Sequence, residues 1–328
     1  MTRLIQQTKI YRKANLEYML KWTLDKKVKH AKKRIKEFYD FENGKVFIAF
    51  SGGIDSTVLL HLVRSLFPDT VAVFSNTTNE YLEILDFIKK VPNVITVNPK
   101  MTFNETVKKY GFPLVSKKTA RAITDLRENR PETYNTRNLY LTGFNQKGVF
   151  CPTYKLSKKW YPLFEKANFN ITNKCCDILK KEPMARFKKE SGLKSFVGTQ
   201  IEEGGYRKDS WLKLGCNVLN GDSSDSSRPL SIFTKKDIWD YVALHKLEYS
   251  KIYDDVLNED GSVKISKELR TGCAYCAFGA HLEKSDLIHT NRFQRLALRK
   301  PKQYKKMMQL ENNGVTFSQA LDFIKVNH

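Results

Sequence analysis

The chain has 328 residues, enough for one large domain or two small ones, and its 57 Lys and Arg against 35 Asp and Glu give a formal net charge of +22. A surface this basic attracts polyanions, with DNA or tRNA as expected partners, although Lys-rich usage alone accounts for part of the excess. No run approaches the ~18 apolar residues of a membrane helix, and the N-terminal sequence has no apolar core of secretory type. The chain therefore reads as a cytoplasmic protein with no membrane segment. There, six cysteines are expected as ligands or reactive thiols rather than disulfides.

Residues 14–40 predict one helix. Leu16, Met19, Leu20, Trp22, Leu24, Val28, Ile35 and Phe38 form an approximate apolar stripe, and Lys26, Lys27, Lys29, Lys32, Lys33, Arg34 and Lys36 crowd the rest. Such a helix ordinarily buries one face and solvates the other. A basic ridge for nucleic acid is the sharper reading. From Lys45 the pattern turns α/β. Val46–Phe50 predicts a buried strand, Ser51-Gly52-Gly53 a tight turn, and Ile54-Asp55-Ser56-Thr57 the opening of an apolar helix over about 55–66. A strand, a Gly-rich turn and a helix N-terminus together make an anion site: backbone comes close to a phosphate, and the free N–H groups of the first helical turn point at it. Further strands are predicted at Thr70–Phe74 and Val94–Val97, with helices near 80–90 and 103–110. This alternation means a parallel sheet with right-handed crossovers. Ligands of such sheets bind at the carboxyl ends of the strands. Ser75-Asn76-Thr77 lies at one of them and is either a contact to adenosine or a plain polar loop.

Beyond Gly111 and Pro113, Ser116-Lys117-Lys118 and Arg121 cluster cations near a helix start, which suits a phosphate-bearing ligand. Residues 129–160 are rich in Asn, Thr and Tyr and read as an insertion, a lid being one use for it. Cys175-Cys176 form a vicinal pair, and Cys273 and Cys276 form Cys-x-x-Cys after Gly272. A vicinal pair bonds poorly to itself, so two plus two thiolates suit either a 4Fe-4S cluster or a structural zinc, with buried inert cysteines as the plainer possibility. His61 and Trp211 read as packing, as does Trp239. His281 reads as a helix-start histidine or a neighbour of the metal. Segment 314–326 predicts a capping helix with Phe317, Ala320, Leu321, Phe323 and Ile324 inward.

Two sets of residues carry a family resemblance. Ser51-Gly52-Gly53-Ile54-Asp55-Ser56 matches SGGxDS, the signature of PP-loop ATP pyrophosphatases, and lacks the lysine of a Walker A loop. Cys175-Cys176 with Lys180 and Pro183, followed by Cys273-x-x-Cys276, resembles the iron–sulfur pattern of adenylylsulfate reductases in the phosphoadenosine phosphosulfate (PAPS) reductase family. Ser195–Gln200 with Arg207 and Ser210, and Arg228-Pro229-Leu230 with Phe233–Tyr241, are similar to further segments of that family. DNA phosphorothioation sulfurtransferases share the layout. The resemblance implies a Rossmann-like, adenine nucleotide alpha hydrolase-like α/β fold with a helical C-terminal region. It implies a loop from Ser51 to Thr57, joined by Ser75, Asn76, Thr77 and Gly198, that grips ATP or an adenosine phosphosulfate with Mg²⁺ on the phosphates. It also implies a 4Fe-4S cluster, with zinc as the alternative, on Cys175, Cys176, Cys273 and Cys276.

Candidate catalytic residues are Asp55, Ser56, Lys117 and Arg207, the two cations neutralising developing charge. The family's reductases use a nucleophilic cysteine in a C-terminal tail, whereas residues 277–328 contain none. Cys151 and Cys216 are the remaining thiols. This departure and the charge favour sulfur transfer to nucleic acid with pyrophosphate release, fed by a sulfur donor such as a cysteine desulfurase. The alternatives are a sulfonucleotide reductase with a non-standard thiol and a non-catalytic nucleotide sensor that binds nucleic acid. The expected organisation is a basic helical segment over 1–42, an α/β domain over 43–250 and a Cys-x-x-Cys-containing helical region over 251–328.

Overall fold

The computed structural model describes residues 12–269, 271–283 and 291–328; the first eleven residues of the expected basic segment lie outside them. The chain divides into two compact units. One comprises residues up to Asn76, Leu82–Asn98 and Pro183–Tyr253; the other comprises Thr77–Tyr81, Pro99–Glu182 and Asp254–His328.

The first unit is a sheet with helices against it. In chain order, the strands named here are β1 (Val46–Ala49), β2 (Ala72–Ser75), β3 (Val94–Val97), β4 (Leu114–Val115, of the second unit), β5 (Lys194–Val197), β6 (Asn217–Val218) and β7 (Ser226–Ser227). The sheet order is β3-β2-β1-β5-β7-β6. All neighbours are parallel except β6 and β7. Phe47 and Ile48 of β1, Val73 of β2 and Phe196 of β5 are sealed from solvent, as expected for parallel strands covered on both faces. Strand order reverses at β1: the chain builds outward through β2 and β3, then returns to the other side of β1 as β5. Such a switch point opens a crevice at the strands' carboxyl ends.

The predicted helix over residues 14–40 is two. Residues 12–20 are helical, and the chain breaks at 21–23. Thr23 then caps Leu24–Phe41 by accepting from the Lys26 amide. The cap replaces an amide partner that a helix start lacks, which stabilises a new start at Thr23. Ala31, Ile35 and Phe38 are buried, with the Phe38 ring 5.1 Å from that of Phe196. Lys27, predicted for the solvated face, is instead buried, and its ammonium bonds Asp237 at 2.6 Å. Trp211 is in the core as expected; Trp239 is not, being 38 % exposed and edge-on to Tyr249 and Tyr253.

The second unit has an aromatic core. Phe112 contacts Phe169 and Phe317, and Phe317 contacts Phe293, with ring centroids 5.3–5.8 Å apart. The C-terminal helix is Phe317–Phe323, with Phe317, Ala320 and Leu321 inward; Phe323 faces outward at 39 % exposed. No helix among the described residues is long and apolar enough to cross a membrane.

Candidate functional site

The first unit places Ser51–Thr57 at the carboxyl end of β1, where the strand order reverses. Gly52 has φ +70°, a left-handed conformation that glycine adopts without steric penalty. A side chain there would also sit 2.9 Å from Ile84 Cγ2 and 3.0 Å from Ile88. The turn therefore passes tight against the helix Leu82–Ile88. The serines shape the loop. Ser51 and Ser56 hydroxyls lie 3.1 Å apart, the Gly53 amide donates to Ser51 Oγ, and Ser56 Oγ donates to the Gly53 carbonyl at 2.8 Å. Thr57 caps the same carbonyl with its amide and hydroxyl, both at 3.0 Å. The amides ahead of Thr57 have no acceptor within the helix, and that of Ile54 donates to the Tyr253 hydroxyl at 3.0 Å.

Gly198, at the end of β5, completes one wall. A Cβ at that position would come 3.1 Å from the Asp55 carbonyl oxygen, so glycine lets β5 close on the start of the helix Ile54–Arg64. Two residues later, the buried Gln200 donates from Nε2 to Asp55 Oδ1 at 3.1 Å. Gln200 and Tyr253 thus hold the loop, although neither stood out as a site residue in the sequence. Gln200 had a signal in its place after a strand–Gly pair, and Tyr253 had none. Ser75 ends β2, and the Asn76 amide donates to the Val97 carbonyl. Arg207 is paired with Glu203.

The second unit gathers the four cysteines of the two pairs. The segment Phe112–Val115 brings them together. At its start Phe112 bridges Ile171 in parallel, four residues before Cys175; at its end Leu114 and Val115 pair with Ala277 and Phe278, just after Cys276. Gly111 allows the approach, since a Cβ there would lie 2.0 Å from the Asn170 carbonyl oxygen. Val115 holds φ +63°, a strained position for a β-branched residue. Cys175 and Cys176 form a helical turn that runs into a π-helical segment, Asp177–Lys181. Such local widening concentrates at functional sites.

Cys175 hydrogen-bonds Cys176, and the charges of Cys276 and Cys273 reach it too. That hydrogen bond holds Cys176 below the usual thiol range, helped by Lys117 and Lys180, and the same bond with burial pushes Cys175 up. Burial raises Cys276 and lifts Cys273 to about 11. Burial would depress Lys180, but Cys273, Glu80 and Cys176 outweigh it and keep its ammonium charged. The Cys273 thiol donates to the Thr77 hydroxyl at 3.8 Å, and Thr77 donates to Glu80 at 2.6 Å. Thr77, expected beside Ser75 and Asn76, is therefore in the thiol group's unit. Lys117, expected at a phosphate, bonds Cys176.

Asn79 anchors the Cys-x-x-Cys turn. Its carbonyl accepts from the Ala274 amide at 2.8 Å and its side chain from the Tyr275 amide at 3.0 Å, while its buried Nδ2 has no partner among the described residues. Arg292 donates to the Cys276 carbonyl at 3.1 Å and is fixed by Glu283. His281 packs edge-on to Trp160. Among the described residues, no three His, Cys, Asp or Glu side chains close as a metal-ion coordination shell. The donor chemistry nevertheless fits a thiolate-held group: four thiols, two cations to offset thiolate charge and an orphaned amide in the anchoring asparagine. Of the remaining thiols, Cys216 in the first unit is buried against Trp211 Nε1 at 3.3 Å and its pKa is raised by burial; Cys151 is half-buried near Asn145.

Comparison with known proteins places this architecture. Residues 45–276 match the phosphoadenosine phosphosulfate reductase domain, and the chain belongs to that family. It is 25 % identical over 227 residues to adenosine 5'-phosphosulfate reductase of Bacillus cereus (strain 03BB102), covering 66 % of this chain and 70 % of that one. The enzyme of the same name from Bacillus mycoides (strain KBAB4) is 24 % identical over 226 residues, with the same coverage. Among solved structures it is similar to PAPS reductase from Candida auris in its phosphate complex, with TM-score 0.37, 14 % identity, and 67 % of this chain and 83 % of that chain covered.

Proposed function

We propose that the chain is a PP-loop enzyme that binds ATP or a related adenine nucleotide at Ser51–Thr57 and transfers sulfur to nucleic acid, with release of pyrophosphate. The observation that carries the reading is the loop itself: a left-handed Gly52, hydroxyls from Ser51, Ser56 and Thr57, and a helix start, all at the switch point of a parallel sheet. Backbone amides of the turn and the Ser51 hydroxyl orient the phosphate chain, with Ser56 and Thr57 shaping the turn, so that an oxygen of the acceptor attacks the α-phosphorus. The bond to pyrophosphate breaks, and fixed N–H dipoles stabilise the charge that develops on the departing oxygen; sulfide-level sulfur from a separate donor then attacks the activated acceptor atom, and AMP leaves with the acceptor oxygen. Asp55, whose carboxylate Gln200 positions, would hold Mg²⁺, which when bound supplies Lewis-acid neutralisation of phosphate charge. Cys175, Cys176, Cys273 and Cys276 would hold a 4Fe-4S cluster, zinc being the alternative. When bound, such a cluster supplies a redox-capable, electrostatically tunable sulfur-rich centre. Lys117 and Lys180 would offset its negative charge. The net charge of +22 supports a polyanionic acceptor.

A second reading, a sulfonucleotide reductase acting on an adenosine phosphosulfate, is supported by the names of the Bacillus relatives. It needs an attacking thiolate. Cys216 is a poor one, buried and with its pKa raised. Anaerobically purified protein distinguishes the two. The first reading expects pyrophosphate from ATP, stimulated by DNA or tRNA; the second expects sulfite from adenosine 5'-phosphosulfate. Sulfite release that needs no nucleic acid, with no pyrophosphate from ATP, overturns the first.

A further inference from the structure

Residues 129–160 carry six Lys and Arg against one acid, Glu132. Arg130 is engaged by Asp125, Glu128 and Glu132. Lys147, Lys155, Lys158 and Lys159 have no carboxylate partner among the described residues and face solvent. Among these cations stand half-exposed rings: Phe144 at 47 %, Phe150 at 50 % and Tyr154 at 51 % exposed. Soluble surfaces scatter single apolar residues; the paired rings of Phe144 and Phe150, with Tyr154 on the same segment, among cations without a carboxylate partner mark a contact site.

The loop that presents them is well built. Gly143 ends the helix Tyr134–Thr142 in the left-handed region, φ +86°, and a side chain there would meet the Phe150 ring at 2.6 Å. The Cys151 amide donates to the Gly143 carbonyl and the Leu156 amide to that of Tyr140, both at 2.7 Å. Asn145 accepts from the amides of Lys147 and Val149 at 2.9 and 3.0 Å. Phe144 and Phe150 bridge as an antiparallel pair with centroids 5.1 Å apart. Lys118 sits 5.0 Å over the Tyr154 ring. Internal hydrogen bonds therefore fix the backbone while leaving the rings half in water.

We propose that residues 143–159 form a platform for single-stranded nucleic acid, on which unpaired bases stack against Phe144, Phe150 and Tyr154 while the four lysines meet the phosphates. The inference rests on the nucleic-acid reading above and adds the surface and the strandedness. Half-exposed rings stack only on bases that are themselves unstacked, which excludes an intact duplex. The excess of unpaired cations argues against an apolar peptide in the same place.

The test is fluorescence anisotropy of the full chain with a labelled oligonucleotide of about 16 residues, in DNA and RNA form, against its duplex. The wild type is expected to prefer the single strand. Replacing Phe144, Phe150 and Tyr154 together by Leu keeps apolar bulk and removes the rings; it is expected to weaken single-strand binding about 100-fold with little change in salt dependence. Lys155→Gln, Lys158→Gln and Lys159→Gln together are expected to reduce the slope of log K against log salt by about 2, at roughly 0.7 per contact. Circular dichroism confirms folding, and Phe144→Tyr, which keeps a ring, should retain binding. Equal binding of duplex and single strand, or an unchanged Leu variant, overturns the platform. If binding is instead lost on replacing Lys26, Lys29, Lys33 and Lys36, the nucleic-acid reading stands and the platform falls. If the wild type binds no nucleic acid, both fall; competition by polyglutamate matching that of single strands marks a protein-docking surface and overturns the platform.

Discussion

The Ser51–Thr57 loop and the thiol group are assembled by opposite means. Ser51–Thr57 is one contiguous stretch, shaped by its own dihedral angles and hydroxyls. The thiol group joins two pairs far apart in the chain, through the two ends of Phe112–Val115. The difference teaches where each is vulnerable: the loop to a single local change, the thiol group to any loss of long-range pairing.

The largest expected effect is at Asp55. Asp55→Ala removes the carboxylate and leaves Gln200 Nε2, now buried without an acceptor, at a stability cost of about 1–3 kcal/mol. Asp55→Asn keeps an acceptor for Gln200 and removes the charge. Both should lower nucleotide turnover by about 100-fold or more, with the Asn variant melting near wild type. Normal turnover in either would remove the loop from the mechanism. Next is Cys273→Ser: if the four thiols hold the proposed cluster, it should strip the metal from anaerobically purified protein, measured by metal analysis and the visible spectrum. If the loop and the thiols are independent, nucleotide affinity of this variant should stay within about twofold. A tenfold loss would show that they act as one and would break the contrast drawn above.

Gly52→Ala sharpens the local side of the comparison. It meets two penalties, the left-handed backbone at about 1–2 kcal/mol and a Cβ 2.9 Å from Ile84, which overpacks by about 1–3 kcal/mol. Gly148→Ala is the control: φ is +72° there, with open space around it. Urea melts of the two should differ by the packing part alone, and only Gly52→Ala should weaken nucleotide binding.

The same contrast decides what could be read from the sequence. The turn after β1 was legible because its glycines and spacing are local, and β1 and β2 because buried parallel strands are continuous apolar runs. The cysteine pairs were legible as pairs. Their meeting place was not, because two-residue strands such as Leu114–Val115 have no periodicity, and Gly111 looks like any turn glycine until Asn170 lies against it. The helix break at 21–23 escaped notice because Trp22 and Leu24 continue the apolar stripe across it. Lys27 was misassigned because its partner, Asp237, is 210 positions away. The segment 129–160 reads only as an Asn-, Thr- and Tyr-rich insertion because Phe144, Phe150 and Tyr154 are half-exposed and follow no burial pattern.

The finest test concerns Val115. Its φ of +63° stores about 1–2 kcal/mol of strain, yet its side chain is 1 % exposed and contributes about 1.5–3 kcal/mol by burial. Val115→Gly trades one for the other, so a net loss of about 1 kcal/mol is expected. Leu114→Ala, at a fully buried neighbour, should cost about 2–5 kcal/mol while leaving the Val115 backbone as it is. The Gly279 amide donates to the Val115 carbonyl at 2.8 Å, and Phe278 pairs with Val115, which puts the strained residue opposite a position two along the chain from Cys276. If that angle aims the thiol, Val115→Gly should retain less iron after dialysis than Leu114→Ala, although it is the more stable of the two. Iron retention that instead follows stability across the two variants would show that the strain aims nothing and that packing alone holds the four thiols together.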